Sequence, residues 1–270
     1  MTLQEGGAET VELTVLDRTK YTEYEELLLE RDQAEKEAGQ IYTVYIAQFG
    51  QLLIDIFNEK IECIKLKKTI GYYQEYLNRG QPIDYEAIAE FIDGEMASYN
   101  SQLQSMIEEN RACKEAGFSS EYEVRRSKEI YRKIAKLIHP DINPETDKDP
   151  QLQDLWNQAA EAYHRNDIKR LSEVEILARK ALSESGKGDF HIEIPDMEDR
   201  IKELKAEIEA IRNKEPYTLG VYVNDPAAKE RRKAELSQEL ASYQKYRKEL
   251  DSVISELLKS EKGGSKWRMN

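Results

Sequence analysis

Apolar and polar positions alternate along this chain with a helical period almost throughout. From Thr19 to Arg79, Tyr24, Leu28, Ala34, Ala38, Ile41, Tyr45, Phe49, Leu52, Ile56, Cys63, Leu66, Ile70, Tyr73 and Leu77 approximate a heptad seam. No proline interrupts this stretch, so the pattern allows one very long helix or two abutting ones, with Gly39 the place for a bend or break. Gly80 and Pro82 mark a turn, Asp84 is placed to cap a following helix, and Ile88, Phe91, Ile92, Met96, Tyr99, Leu103, Met106 and Cys113 give that helix an apolar stripe. The short loop predicts that the two pack as an antiparallel hairpin over 19–118.

A sharper signal lies between residues 119 and 185. Ser127, Ile130, Tyr131, Ile134, Ala135 and Ile138 form one stripe, and Pro140 stops the helix because it disfavours helical geometry in the residue before it and supplies no amide proton. Asp149 and Pro150 read as N-cap and first position of the next helix, whose inward residues are Leu152, Leu155, Trp156, Ala159, Ala162 and Tyr163. His139-Pro140-Asp141 is therefore expected at the tip of a helical hairpin, displayed outward. Asn166 or Asp167 can cap a further helix carrying Ile168, Leu171, Val174, Ile176, Leu177 and Leu182.

The ends are plainer. Residues 1–18 read as a flexible start, with Val11, Leu13 and Val15 alternating as in a short extended segment, and 186–196 as a linker loosened by Gly186 and Gly188. Met197, Ile201, Leu204, Ile208 and Ile211, then Leu236, Leu240, Tyr243, Leu250, Ile254 and Leu257, repeat heptad spacing on either side of EPYTLGVYVNDP, with Arg247 breaking the second seam once. This predicts an antiparallel coiled-coil hairpin over 197–260, whose tip, Tyr217 to Val223, is apolar enough to be a partner contact, followed by a disordered tail over 261–270. The expected fold class is all-α.

Charge sharpens the picture at one place. The chain carries a formal charge of −13, yet between Arg125 and Ile138 there are six basic residues (Arg125, Arg126, Lys128, Arg132, Lys133, Lys136) against Glu129 alone. Arg125, Lys128, Arg132 and Lys136 step by three and four, so they share a strip opposite the apolar stripe. The overall acidity argues against bulk nucleic-acid affinity, because phosphate binding relies on basic side chains releasing counterions. Mean hydropathy is −0.77 and no run of about eighteen apolar residues exists, so no membrane span is expected; a secretory signal pattern is also absent from the first residues, and the expected location is cytoplasmic. Cys63 and Cys113 sit on helical stripes and read as buried, reduced thiols.

With these residues in view, Tyr131 to Pro144 (YRKIAKLIHPDINP) and Leu155 to Tyr163 (LWNQAAEAY) resemble the second helix, loop and third helix of a J-domain, the module with which DnaJ-like co-chaperones dock on DnaK-type heat-shock chaperones and stimulate their ATP hydrolysis. The resemblance spans about residues 124–171. It implies that His139, Pro140 and Asp141 are the stimulating triplet, that Arg125, Lys128, Arg132, Lys133 and Lys136 form a docking face, and that Tyr131, Ile134, Leu155, Trp156, Ala159 and Tyr163 form the module core. The aromatic-rich first helix usual in the family has no counterpart here, and Ile142 stands where a basic residue is frequent. The N-terminal hairpin is a candidate to supply the packing surface that the first helix would otherwise give.

The functional expectation is a co-chaperone whose coiled-coil arms bind a client or adaptor protein, with no catalytic residue, metal or cofactor. Only His139, His164 and His191 are histidines, and no cysteine, serine or second histidine stands at ligand or triad spacing near His139. The alternatives are a structural or adaptor protein retaining a degenerate J-like fold, with self-association through the coiled coils, and a weaker one of nucleic-acid binding through Arg125 to Lys136.

Overall fold

A computed structural model describes residues 6–117, 119–184 and 196–266, with side chains described from 19 to 260 apart from residue 118 and residues 184–195. Among the described residues every regular element is helical, as expected. The helices are α1 (Gly6–Asn78), α2 (Tyr85–Glu115), α3 (Glu121–Ile138), α4 (Pro150–His164), α5 (Ile168–Glu184), α6 (Met197–Arg212), α7 (Gly220–Asn224) and α8 (Pro226–Lys266), with 3-10 turns at Thr146–Lys148 and Tyr217–Leu219.

The chain divides into two compact units, Met1–Ile41 with Phe118–Thr218 and Tyr42–Gly117 with Leu219–Asn270. Helix α1 is continuous through Gly39 and contributes to both. It also starts at Gly6, so the expected loose segment is helical over 6–18, while residues 1–5 lie outside the described residues: propagation adds one hydrogen bond per residue to an existing helix, and no proline stands in the way. The same reasoning extends α8 to Lys266, into the segment expected to be a disordered tail; residues 267–270, and all of the expected linker except Asp196, lie outside the described residues.

In the first unit α3, α4 and α5 enclose a core of Ile130, Ile134, Ile138, Leu155, Ala159, Leu171, Val174 and Ala178, and Leu29 of α1 is buried in that same core. The N-terminal helix thus supplies a packing wall for the module. Local chemistry sets the ends. Ser120 caps α3 through a reciprocal bond pair with Glu123, and Asp149 caps α4 by accepting from the amides of Gln151 and Leu152, with Pro150 at the first turn. Asp167 accepts from the Arg170 amide at the start of α5. Of the expected α5 stripe, Leu171 and Val174 are buried and Ile168 and Leu182 pack against the same core, whereas Ile176 is 68% exposed and Leu177 is also exposed, Ala178 taking the inward place. Ile176 lies two positions, about 200°, from Val174 on the helix, so both cannot face one core.

The expected coiled-coil hairpin over 197–260 is also corrected. The α6 seam, Ile201, Leu204 and Ile208, is buried with Tyr24, Leu27 and Leu28 of α1 and with Ile142. Lys205–Glu23 at 2.6 Å and Arg212–Glu30 at 2.9 Å flank that seam.

In the second unit α2 lies on α1 through Ile88, Ile92 and Met96 packed with Ile61, and Leu258 of α8 joins the same cluster. Gly80 ends α1 in the left-handed conformation, and Asp84 caps α2 by accepting from the Ala87 amide, both as expected. Helix α8 meets α1 through Arg232 on the Tyr45 hydroxyl, Cys63 on the Tyr243 carbonyl, and Arg247 between Glu59 and Glu62. Arg247 breaks the heptad because that seam position faces two carboxylates. The α6 seam is therefore closed by α1, and the α8 seam position at Arg247 also faces α1, since heptad spacing specifies a buried stripe without naming the helix that buries it. The apolar segment expected to be a partner contact mostly packs inward: Tyr217 donates to Glu37, Leu219 is buried, and Arg232 lies over the Tyr222 ring, leaving Val221 exposed.

Candidate functional site at the His-Pro-Asp turn

Pro140 forces His139 into an extended conformation (φ −64°, ψ 129°), and α3 stops there. The chain then folds tightly on itself. The amides of Ile142 and Asn143 donate to the His139 carbonyl at 2.9 and 2.7 Å, Asn143 Nδ2 donates to the Leu137 carbonyl at 3.1 Å, and the Glu145 amide donates to Asn143 Oδ1 at 3.2 Å. Asn143 is thereby explained as the residue that satisfies the carbonyl end of α3.

The expectation that His139 is displayed outward is overturned. Its residue exposure is 3%, because Asp32 of α1 and the Trp156 ring of α4, with ring centroids 4.5 Å apart, close over the imidazole. The Asp141 amide donates to His139 Nδ1 at 3.0 Å. A nitrogen accepting a hydrogen bond carries no proton, so the neutral ring holds its proton on Nε2. Nε2 faces Asp32 Oδ2 at 3.8 Å, beyond hydrogen-bond distance, and has no bonded partner among the described residues. Burial pushes the imidazole below its ordinary value, against the opposing pull of Asp32 and Asp141. Pro140 and Asp141 remain half-exposed, and Asp141 lies 3.7 Å from Arg31.

Asp32 is the hub of this region. Its Oδ1 accepts from Arg31 at 3.1 Å and its Oδ2 accepts from the Tyr131 hydroxyl at 2.8 Å. Tyr131 stacks on Tyr163 with centroids 4.0 Å apart and planes within 6°, and Tyr163 donates to Gln33. Burial and then Asp32 push both phenols above their ordinary value. Arg31, Asp32, Glu35, His139, Asp141 and Trp156 line a cleft of about 300 Å³.

The residues expected to form the module core, Tyr131, Ile134, Leu155, Ala159 and Tyr163, are buried together, with Trp156 partly buried against them. On the basic strip Arg125, Arg132, Lys133 and Lys136 are exposed and Lys128 is half-exposed. Lys136 is paired with Glu25 of α1 at 3.1 Å, whereas Arg125, Lys128, Arg132 and Lys133 have no ion pair among the described residues.

Sequence reasoning passed over Arg31, Asp32 and Lys36. Lys36 is 1% exposed; its ammonium donates to Ser127 Oγ at 3.2 Å and Asn166 Oδ1 at 2.5 Å, and sits 3.7 Å from the Tyr163 ring centroid. Three donors thus meet three electron-rich partners, none a carboxylate. Burial, then repulsion from Lys128, lowers this lysine to about 8. A signal was present: Leu29, Asp32 and Lys36 step by three and four, placing two charges in line with a core leucine.

Among the described residues no group of three or more His, Cys, Asp or Glu side chains is placed to hold a metal ion, and no helix is long and apolar enough to cross a membrane. No protein-family model, curated protein or solved structure matches the chain.

Proposed function

We propose that the protein is a non-enzymatic helical adaptor in which the J-like module serves as a packed structural block, with His139 bracing the turn from inside. The single observation that carries this reading is the burial of His139 under α1, with Nδ1 committed to the Asp141 amide. A side chain so placed holds its own loop, and its one unbonded polar atom, Nε2, is buried under Asp32 and Trp156, out of reach of a partner's surface. Covering α3, α4 and α5 with α1 also fits a block that carries load, since Leu29 belongs to the module core.

A second reading, a co-chaperone docking on a DnaK-type partner, draws support from a different observation: Arg125, Arg132 and Lys133 stay exposed on the strip the J-domain resemblance assigns to docking, and Asp141 is 42% exposed at its side chain. The two separate in a steady-state ATPase assay of a DnaK-type chaperone with the purified chain. The adaptor reading expects turnover unchanged by the protein and by its His139→Gln and Arg132→Glu variants. A several-fold rise that both variants abolish would replace it with the co-chaperone reading.

A further inference from the structure

His139 is held between two carboxylates at nearly equal, unbonded distances. Nε2 is 3.8 Å from Asp32 Oδ2 and Nδ1 is 3.9 Å from Asp141 Oδ2, while the one hydrogen bond the ring makes, from the Asp141 amide to Nδ1, exists only for the neutral ring. A second ring proton turns Nδ1 from acceptor to donor and places two N–H groups face to face at 3.0 Å.

We infer that the His139 turn is a proton-operated switch: uptake of one solvent proton at Nδ1 breaks the Asp141 amide bond and lets the imidazolium close onto the carboxylates of Asp32 and Asp141. The groups that face the ring define what the switch must overcome. From α1 these are Arg31, Asp32 and Glu35, from α3 Tyr131, from the turn Asp141 and Asp147, and from α4 Trp156, Tyr163 and His164. Asp32 and Asp141 favour the charged ring; burial and Arg31 oppose it. Closing requires movements of about 1 Å at each carboxylate to reach hydrogen-bond distance. Drawing Asp141 inward takes it from Arg31, now 3.7 Å away, and withdraws the half-exposed carboxylate from the surface. The acid form therefore presents a different turn to any partner that contacts Pro140 and Asp141. This inference does not depend on the adaptor reading, because it concerns the turn's own chemistry.

The test uses the full chain with Trp267→Phe, which leaves Trp156 as the only tryptophan. Ring ¹⁵N shifts of His139, Trp156 emission and Asp141 amide exchange corrected for intrinsic rate are followed from pH 7.5 down to about 5, below the ordinary histidine value. The expected result is a shift from the Nε2–H tautomer to imidazolium, quenching of Trp156 over the same range, and about tenfold faster Asp141 exchange at unchanged helicity. Asp32→Asn should move the transition to lower pH, and His139→Gln should remove it. A ring that stays neutral until helicity is lost, or that gains its proton while the Asp141 amide keeps its protection, would overturn the proposal. If the His139→Gln chain fails to fold, the ring shifts of the unsubstituted His139 and the Asp32→Asn shift still decide.

Discussion

Lys36→Met isolates the energetic consequence of burying a cation without a counter-charge. The side chain is 1% exposed, and among the described residues it has no ion pair. At about 1.36 kcal/mol per tenfold change in proton affinity, the fall from 10.5 to about 8 costs the charged form about 3 kcal/mol. Methionine keeps most of the stem and removes the charge. Its neighbours are not orphaned, because Ser127 Oγ already donates to Asn166 Oδ1 at 2.7 Å. The variant should therefore be at least as stable as wild type at pH 7, in line with the finding that buried charges are often replaceable by apolar groups. The pH dependence gives the sharper test. The folded chain binds this proton less tightly than the unfolded chain, so the Lys36 contribution to stability is lowest below pH 8 and rises towards the unfolded value of 10.5. Between about pH 7 and 9.5 wild type should gain about 2 kcal/mol relative to Lys36→Met. Urea unfolding followed by helical circular dichroism at both pH values measures this, and taking the difference between the two proteins cancels titrations they share. Parallel pH profiles, or a loss of more than about 2 kcal/mol in the variant at pH 7, would refute the account of Lys36 as an uncompensated buried cation.

Other substitutions probe separate features. At Gly50 an added Cβ would lie 2.6 Å from the buried Asn110 amide, so Gly50→Ala should destabilise by about 1–3 kcal/mol despite alanine's better helix propensity. The register of α5 predicts that Val174→Glu abolishes cooperative unfolding while Ile176→Glu changes stability by less than about 0.5 kcal/mol, both read from denaturation curves. Removing the α4 cap with Asp149→Ala should cost about 1 kcal/mol in the same assay. For Arg247→Met, where the side chain is 39% exposed, the loss should stay below about 1 kcal/mol, because solvent screens its pairs with Glu59 and Glu62.

What was legible in the sequence was whatever a few neighbouring residues decide. Pro140 ends α3, Asp149 and Pro150 begin α4, Gly80 ends α1 and Asp84 begins α2, because each acts on amides within a few positions of itself. The inward stripes of α3 and α4 were legible for the same reason. Identity of the covering helix was not. Heptad spacing finds a seam at Ile201, Leu204 and Ile208 but cannot say that Tyr24, Leu27 and Leu28 close it. His139 illustrates the difference most clearly: its exposure is set by Asp32, more than a hundred positions earlier, and no local pattern near the turn reports that approach. Charged residues on a helix are ordinarily solvated, so Asp32 and Lys36 draw no notice in the sequence although they step in line with Leu29 on the covered face.

The most direct test of the inward, bracing role of His139 is its rate of modification by diethyl pyrocarbonate at neutral pH, read by peptide mass spectrometry against the exposed His164 as internal reference. The account predicts that His164 is modified readily while His139 stays unmodified until the chain is unfolded. Modification of His139 at the same rate as His164 in the folded protein would contradict it.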